Sequence, residues 1–155
     1  MHDPIVQVFE VYIRTKPETL WAAITQPEFT KLYFMDAELR SDLKVGSRMA
    51  YCLPGGDTIT DGKIVEIEPQ RRLVQTWVGL VPPESERDPE SKVTWEITQL
   101  GDTCLLRVVH EHYAGVTRTS TGTAHGWNII FSGLKTLLET GSPLHIPSPQ
   151  PVGKS

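Results

Sequence analysis

A chain of 155 residues, 39% hydrophobic and 22% charged, is within the range of one domain and buries roughly 68–70% of its unfolded surface. Its formal net charge of −4 gives no electrostatic footing for nucleic acid, which needs a basic face, or for an anionic membrane surface. No apolar run approaches the roughly 20 residues of a membrane helix, and the opening Met1-His2-Asp3-Pro4 lacks the basic-then-apolar pattern of a secretory leader. A cytoplasmic protein with Cys52 and Cys104 as free thiols is the expectation.

Residues 5–14 alternate, with Ile5, Phe9, Val11 and Ile13 on one face and Gln7 as the polar intruder, which predicts a half-buried strand. Thr15-Lys16-Pro17-Glu18 and Thr25-Gln26-Pro27-Glu28 both match a capping box, in which Thr and Glu satisfy free backbone donors reciprocally. Two short helices are predicted over residues 17–24 and 27–33, with buried stripes of Leu20, Trp21 and Ile24, then Phe29, Leu32 and Tyr33.

The middle of the chain reads as five strands, at 48–52, 58–68, 72–78, 92–99 and 103–110. Pro54-Gly55-Gly56-Asp57 marks a hairpin turn between the first two, and Leu100-Gly101-Asp102 separates the last two. Connections this short make the neighbours antiparallel. Residues 79–91 are proline-rich, charged and aperiodic, an exposed loop or lid. From about 119 to 140 the period becomes helical, with Trp127, Ile130, Phe131, Leu134, Leu137 and Leu138 on one face. Gly141 stands where a left-handed C′ residue belongs, and Pro143 stops the helix. A domain over 1–144 followed by a proline-rich mobile tail over 145–155 is the expected division.

A sheet with one apolar face must bury it, and the terminal helix is the one element large enough to do so. The predicted architecture is therefore α+β, a helix-grip fold in which about six antiparallel strands wrap a long C-terminal helix. A straight rod cannot touch a curving sheet everywhere, so an apolar pocket is expected near one end. Trp77, Trp95 and Trp127 are suited to line it, and Leu106, Val108, Ile130 and Phe131 on the facing surfaces complete the candidates. In strand 103–110, Arg107 marks the face towards water, so period two carries His110 inward as the polar end of the pocket.

Residues 15–25, with Pro17-Glu18 and Leu20-Trp21, resemble the opening of the activator of heat-shock-protein-90 ATPase homologue-like family. So do Lys44-Val45-Gly46-Ser47, the run from Glu66-Ile67-Glu68-Pro69 to Thr76-Trp77, and Gly126-Trp127 followed by Leu134-Lys135-Thr136-Leu137-Leu138-Glu139. The similarity spans roughly residues 5–144. It implies the fold of the START and Bet v 1-like superfamily and, often, a cavity for a hydrophobic ligand. The single-domain members it resembles are bacterial. Eukaryotic chaperone activators carry an added chaperone-binding domain that this sequence is expected to lack, so contact with a chaperone has no support in the residues themselves.

No catalytic set emerges. Gly-x-Ser-x-Gly is absent, Gly55-Gly56 precedes no phosphate-loop Lys, and both cysteines lie among apolar neighbours. His110-x-His112 puts two imidazoles on one strand face, and His125 could approach from the helix, but no third ligand is defined; no metal and no cofactor are expected. The leading reading is a binding protein, monomer or homodimer, for an aromatic or lipid-like small molecule. A protein-interaction module acting through its surface and a pocket enzyme of cyclase or hydratase type are the alternatives.

Overall fold

Alternation builds the first edge of the sheet: in β1 (Ile5–Ile13) the odd-numbered side chains turn inward and the even-numbered ones face water. The computed structural model describes residues 3–147; of the tail expected over 145–155, residues 148–155 lie outside the described residues. Helices α1 (Pro17–Thr25) and α2 (Pro27–Tyr33) follow, each with proline in its first turn.

The two expected capping boxes do not form. Proline pushes the residue before it into extended backbone, and Lys16 (ψ 154°) and Gln26 (ψ 130°) obey, so they become the N-caps and make no side-chain cap bond. Each threonine is thereby displaced one position out of the cap. Thr25 Oγ1 instead donates to the Trp21 carbonyl at 2.7 Å. The buried face of α2 also differs from expectation: Thr30 and Tyr33 are buried, while Phe29 and Leu32 are 36% and 37% exposed. Thr30 sets this phase, because its hydroxyl accepts from the Leu39 N–H at 3.0 Å.

Eight strands form the sheet, two more than expected. One is β2 (Glu38–Ser41), a four-residue strand burying only Leu39 fully and too short to show a period. The other arises because the run 58–68 is broken into β4 (Thr58–Asp61) and β5 (Ile64–Glu68). With β3 (Met49–Cys52), β6 (Arg72–Gly79), β7 (Ser91–Leu100) and β8 (Thr103–His112), the order is β1-β8-β7-β6-β4-β3-β2, and β5 also pairs with β6. Thus β4 and β5 lie end to end along one edge of β6. Between them the Lys63 carbonyl accepts from the Thr76 N–H at 2.9 Å, and the Thr76 hydroxyl accepts from the Lys63 N–H at 2.8 Å. Gly62 makes this junction: a Cβ there would stand 1.9 Å from the Thr76 carbonyl oxygen.

Helix α3 (Arg118–Thr140) covers the concave side of the antiparallel sheet. Its 23 residues span roughly 34 Å at 1.5 Å each. Thr117 and Ser120 form a true capping box at its start, and Gly141 (φ 80°) closes it in the left-handed conformation. Trp127, Ile130, Phe131, Leu134 and Leu137 are buried against the sheet. Gly133 lets the helix close on α2, since a Cβ there would lie 3.1 Å from the Tyr33 Cβ. Cys52 and Cys104 are both free and buried. Among the described residues no helix is long and apolar enough to cross a membrane.

Gly62→Ala forces a methyl into the Thr76 backbone and is expected to cost about 1–3 kcal/mol, read as a lower urea midpoint at unchanged m-value. Trp127→Ala removes the largest side chain on the buried face of α3 and is expected to cost about 3–5 kcal/mol in the same assay.

Candidate functional site

Two halves of α3 meet the sheet differently. From Trp127 onward the helix presents large apolar side chains to the sheet, whereas Thr119, Gly122, Thr123 and Gly126 present almost nothing. A Cβ built on Gly122 or Gly126 meets no atom within 4 Å. The space left beside this half is a pocket of about 760 Å³. Leu53, Ile59 and Thr60 of the β3–β4 hairpin form one wall, Trp77 and Gly79 of β6 the back, and Val81, Pro82 and Pro83 the far lip, with Met35 and Ile130 below. Arg118 is the one charged residue in this lining. Other hollows, of about 390 to 560 Å³, are bordered largely by surface polar and charged side chains such as Arg14, Arg48 and Glu139.

The lip belongs to the loop between β6 and β7, which the sequence marks as aperiodic. It is short of disorder because it is tied at two points. Arg87 donates to the carbonyls of Pro82 (3.1 Å) and Leu80 (3.3 Å), curling the loop on itself. The Asp88 carboxylate accepts from both the backbone N–H and the hydroxyl of Thr119 at 2.7 Å. That carboxylate satisfies a free donor in the first turn of α3 and opposes the positive end of the helix dipole.

Behind the pocket lies a buried polar network. Trp127 Nε1 can only donate, so the 3.1 Å contact makes His110 Nδ1 the acceptor. The proton of neutral His110 therefore sits on Nε2 and is given to Ser91 Oγ at 2.8 Å. Ser91 in turn donates to the Trp77 carbonyl at 3.2 Å. Next to it, the His112 ring stacks on His110 with centroids 4.0 Å apart. His112 Nε2 donates to Gln7 Oε1 at 2.8 Å, and Gln7 Nε2 donates to the Ser120 carbonyl at 2.7 Å. The polar intruder of β1 is thus the tie between the sheet edge and the first turn of α3. Burial, and to a smaller degree the His112 ring, push His110 down to about 3. Burial also lowers His112, against the opposing pull of the Asp88 carboxylate.

Of the candidate residues, Trp77, Trp127 and Ile130 line the pocket. His110 does not: it is 0% exposed, both ring nitrogens are engaged within the fold, and it lies against Trp77 and Trp127, the rings that face the pocket. Trp95, Leu106 and Val108 are core residues of the inner sheet face, and Phe131 packs edge-on against Phe9. His125 is exposed and joins neither histidine. Among the described residues no group of three or more His, Cys, Asp or Glu is placed to hold a metal ion. The lining residues that sequence reasoning missed are Met35, the hairpin residues, the loop lip and the small residues of α3. Gly122, Gly126 and Ile130 stand four apart, a helical row that signals where the helix stops filling space.

A curved antiparallel sheet wrapped around a long C-terminal helix, with two short helices after the first strand, is the helix-grip architecture of Bet v 1-like proteins. The chain belongs to the family described as "Activator of Hsp90 ATPase homolog 1-like protein", which matches residues 14–139. Protein MLL2253 from Mesorhizobium loti is 29% identical at a TM-score of 0.72, over 87% of this chain and 97% of that one. CalU16 from Micromonospora echinospora is 24% identical at a TM-score of 0.69, over 88% of this chain and 77% of that one. The Aha1 dimer from Colwellia psychrerythraea is 18% identical at a TM-score of 0.70, over 88% of this chain and 98% of that one. No curated protein matches the sequence.

The histidines make stability pH-dependent. An unfolded histidine titrates near 6.5 and folded His110 at about 3, so between these values the unfolded chain binds more protons. The stability that neutral His110 contributes is complete above pH 6.5 and is lost as the pH falls towards 3. Urea melts should show a loss of about 2 kcal/mol between pH 7 and pH 5 from this group, with His112 adding in the same direction. His110→Gln, which does not titrate, is expected to flatten that slope although it is less stable at pH 7.

Proposed function

We propose that this chain binds a hydrophobic small molecule, aromatic or lipid-like, in the pocket between the N-terminal half of α3 and the sheet. The observation that carries the reading is the pocket itself. It has about 760 Å³, inside the range of small-molecule sites, and a mostly apolar lining with a few polar groups. Its inner wall includes two largely buried indoles, Trp77 of the sheet and Trp127 of the helix, whose rings lie 5.6 Å apart at 45°. An apolar guest there covers the exposed Met35 and Val81 and meets packed rings that need no ordering. Arg118 at the rim tolerates an anionic group on that guest and disfavours a cationic one. The lip is tied through Asp88 to the very helix that forms the opposite wall, an arrangement suited to admitting and retaining a ligand.

The test uses 1-anilinonaphthalene-8-sulfonate, whose rings match the apolar walls and whose sulfonate can meet Arg118. Saturable fluorescence enhancement with one site per chain is expected. Gly126→Leu projects a side chain into the pocket from a position with room for a Cβ and replaces a poor helix former by a good one. It is therefore expected to keep or raise the melting temperature while weakening dye binding at least tenfold. Undiminished binding in a folded Gly126→Leu protein places the dye elsewhere and overturns the reading.

A further inference from the structure

Strand β1 ends the sheet, pairing with β8 on one side only. In an extended strand the N–H and C=O of one residue point to the same edge, and that edge alternates from residue to residue. Two bonds show which residues face away from β8. The Tyr12 carbonyl accepts from Lys135 Nζ at 2.7 Å, and the Arg14 N–H donates to Glu139 Oε2 at 2.9 Å, both across to α3. Even-numbered residues therefore turn their backbone to the free edge. Lys135 and Glu139 close its C-terminal end, as charged side chains do at many sheet edges. The rest is open: the N–H and C=O groups of Val6, Val8 and Glu10 have no hydrogen-bond partner among the described residues. A hollow of about 490 Å³ runs beside them, between residues 8–11 of β1 and Asn128, Ser132 and Lys135 of α3, and leaves the inward-facing Phe9 and Val11 only half-buried. On the outer face Val6, Val8 and Tyr12 are 56%, 48% and 58% exposed.

An edge of this kind can pair with a second copy of itself about a two-fold axis, and the sequence selects one register. Centred on Val8, antiparallel pairing sets Val8 against Val8 of the second copy and Val6 against its Glu10. Each is a hydrogen-bonded pair, so every free N–H and C=O of these three residues is used. The next pair out is Pro4 against Tyr12. Pro4 has no N–H to give, and the group it would have met, the Tyr12 carbonyl, is already taken by Lys135. The Tyr12 N–H still reaches the Pro4 carbonyl. Moving the centre one residue towards the N-terminus sets Pro4 against Glu10 and leaves the Glu10 carbonyl without a donor. Moving it the other way aims the Val6 N–H at the carbonyl that Lys135 holds. The Val8 register also sets apolar side chains against each other, Ile5 with Val11 on the inner face, and Val8 with Val8 and Pro4 with Tyr12 on the outer face.

We propose that β1 is a self-association surface, through which two copies of this chain pair antiparallel about Val8 into one continuous sheet. The proposal is independent of the pocket, whose lining contains no residue of β1. One strand from each copy gives an interface below the roughly 1,200 Å² of stable complexes, so the dimer forms reversibly as concentration rises.

Sedimentation velocity of the full chain over a wide range of concentration is expected to show a reversible monomer–dimer equilibrium. Val8→Pro removes an N–H that no bond within the chain uses, at an edge position where strands accept proline. Val8→Lys brings two like charges together on the axis from a side chain that is exposed in the monomer. Both variants should stay monomeric where the wild type dimerises, and Val8→Lys should keep the wild-type melting temperature at low concentration. Register is read by crosslinking, with Cys52 and Cys104 buried and out of reach. Val8→Cys should form an interchain disulfide under mild oxidation, because opposed residues of a hydrogen-bonded pair have Cα atoms about 5.5 Å apart; Val6→Cys should not. A wild type that is monomeric at every concentration, a dimer that persists in either Val8 variant, or crosslinking by Val6→Cys in preference to Val8→Cys overturns the proposal. So does slow exchange of the Val6, Val8 and Glu10 amides in the monomer, the mark of an edge already covered by another part of the chain.

Discussion

The indole N–H of Trp127 and the imidazole Nδ1 of His110 meet in the interior of the protein, and the placement of the long helix depends on that contact. A buried tryptophan needs an acceptor for its N–H, and in an apolar core there are few to choose from. By taking the one on β8, Trp127 sets both the rotation and the axial position of α3 over the sheet. Sliding the helix by a residue or turning it would leave two buried polar groups unmet at once, a penalty of about 1–3 kcal/mol for each. The bond also determines the proton on His110, hence the direction of donation to Ser91 and on to the Trp77 carbonyl. Helix, two strands and the back wall of the pocket are thereby referred to a single imidazole.

The inner face of this sheet is unusually polar for a surface covered by a helix. Gln7, Tyr51, Gln75, Ser91, His110 and His112 all occupy it, yet they divide into two groups with different physical status. Around His110 every donor named above has an acceptor, and such closed networks rigidify a core and single out one packing arrangement. Around Tyr51 the account is open: its Oη and Gln75 Nε2 find no hydrogen-bond partner among the described residues. Both groups adjoin Trp77, whose carbonyl takes the Ser91 hydroxyl and whose ring lies 5.8 Å from that of Tyr51.

Much of the architecture could be read from the chain because its signals were local. Proline in the first turn, period two in β1 and β7, period 3.6 in α3 and the left-handed Gly141 each speak about their own neighbourhood, and the elements fell where those residues put them. What was not legible depended on distant partners. The break at Gly62 is required by the Thr76 carbonyl fourteen residues away, and in the run 58–68 the glycine alone marks it. The capping threonines looked right in isolation; the proline rule one residue later displaced them. For the site, period two correctly brought His110 inward, but its neighbours on α3 decided that it would serve the core and not border the pocket. The opposite holds for Gly122 and Gly126, whose contribution is the side chain they lack. A search for residues that could touch a ligand passes over positions that merely make room for one.

The small residues of α3 have a consequence for how motion is distributed along a single helix. Glycine inside a helix is less favourable than alanine by about 0.8–1.0 kcal/mol, and the stretch from Arg118 to Gly126 contains two glycines and three threonines, while the half beyond Trp127 is anchored by leucine, isoleucine and phenylalanine. Backbone amides in the first two turns should therefore exchange with solvent through local openings that leave the remainder of the helix protected. Those openings are held shut by the Thr117–Ser120 cap, Gln7 and Asp88, all polar contacts near the surface. One wall of the pocket is thus built from the half of α3 with the weaker helix formers, and an opening there leaves the aromatic core beneath it undisturbed.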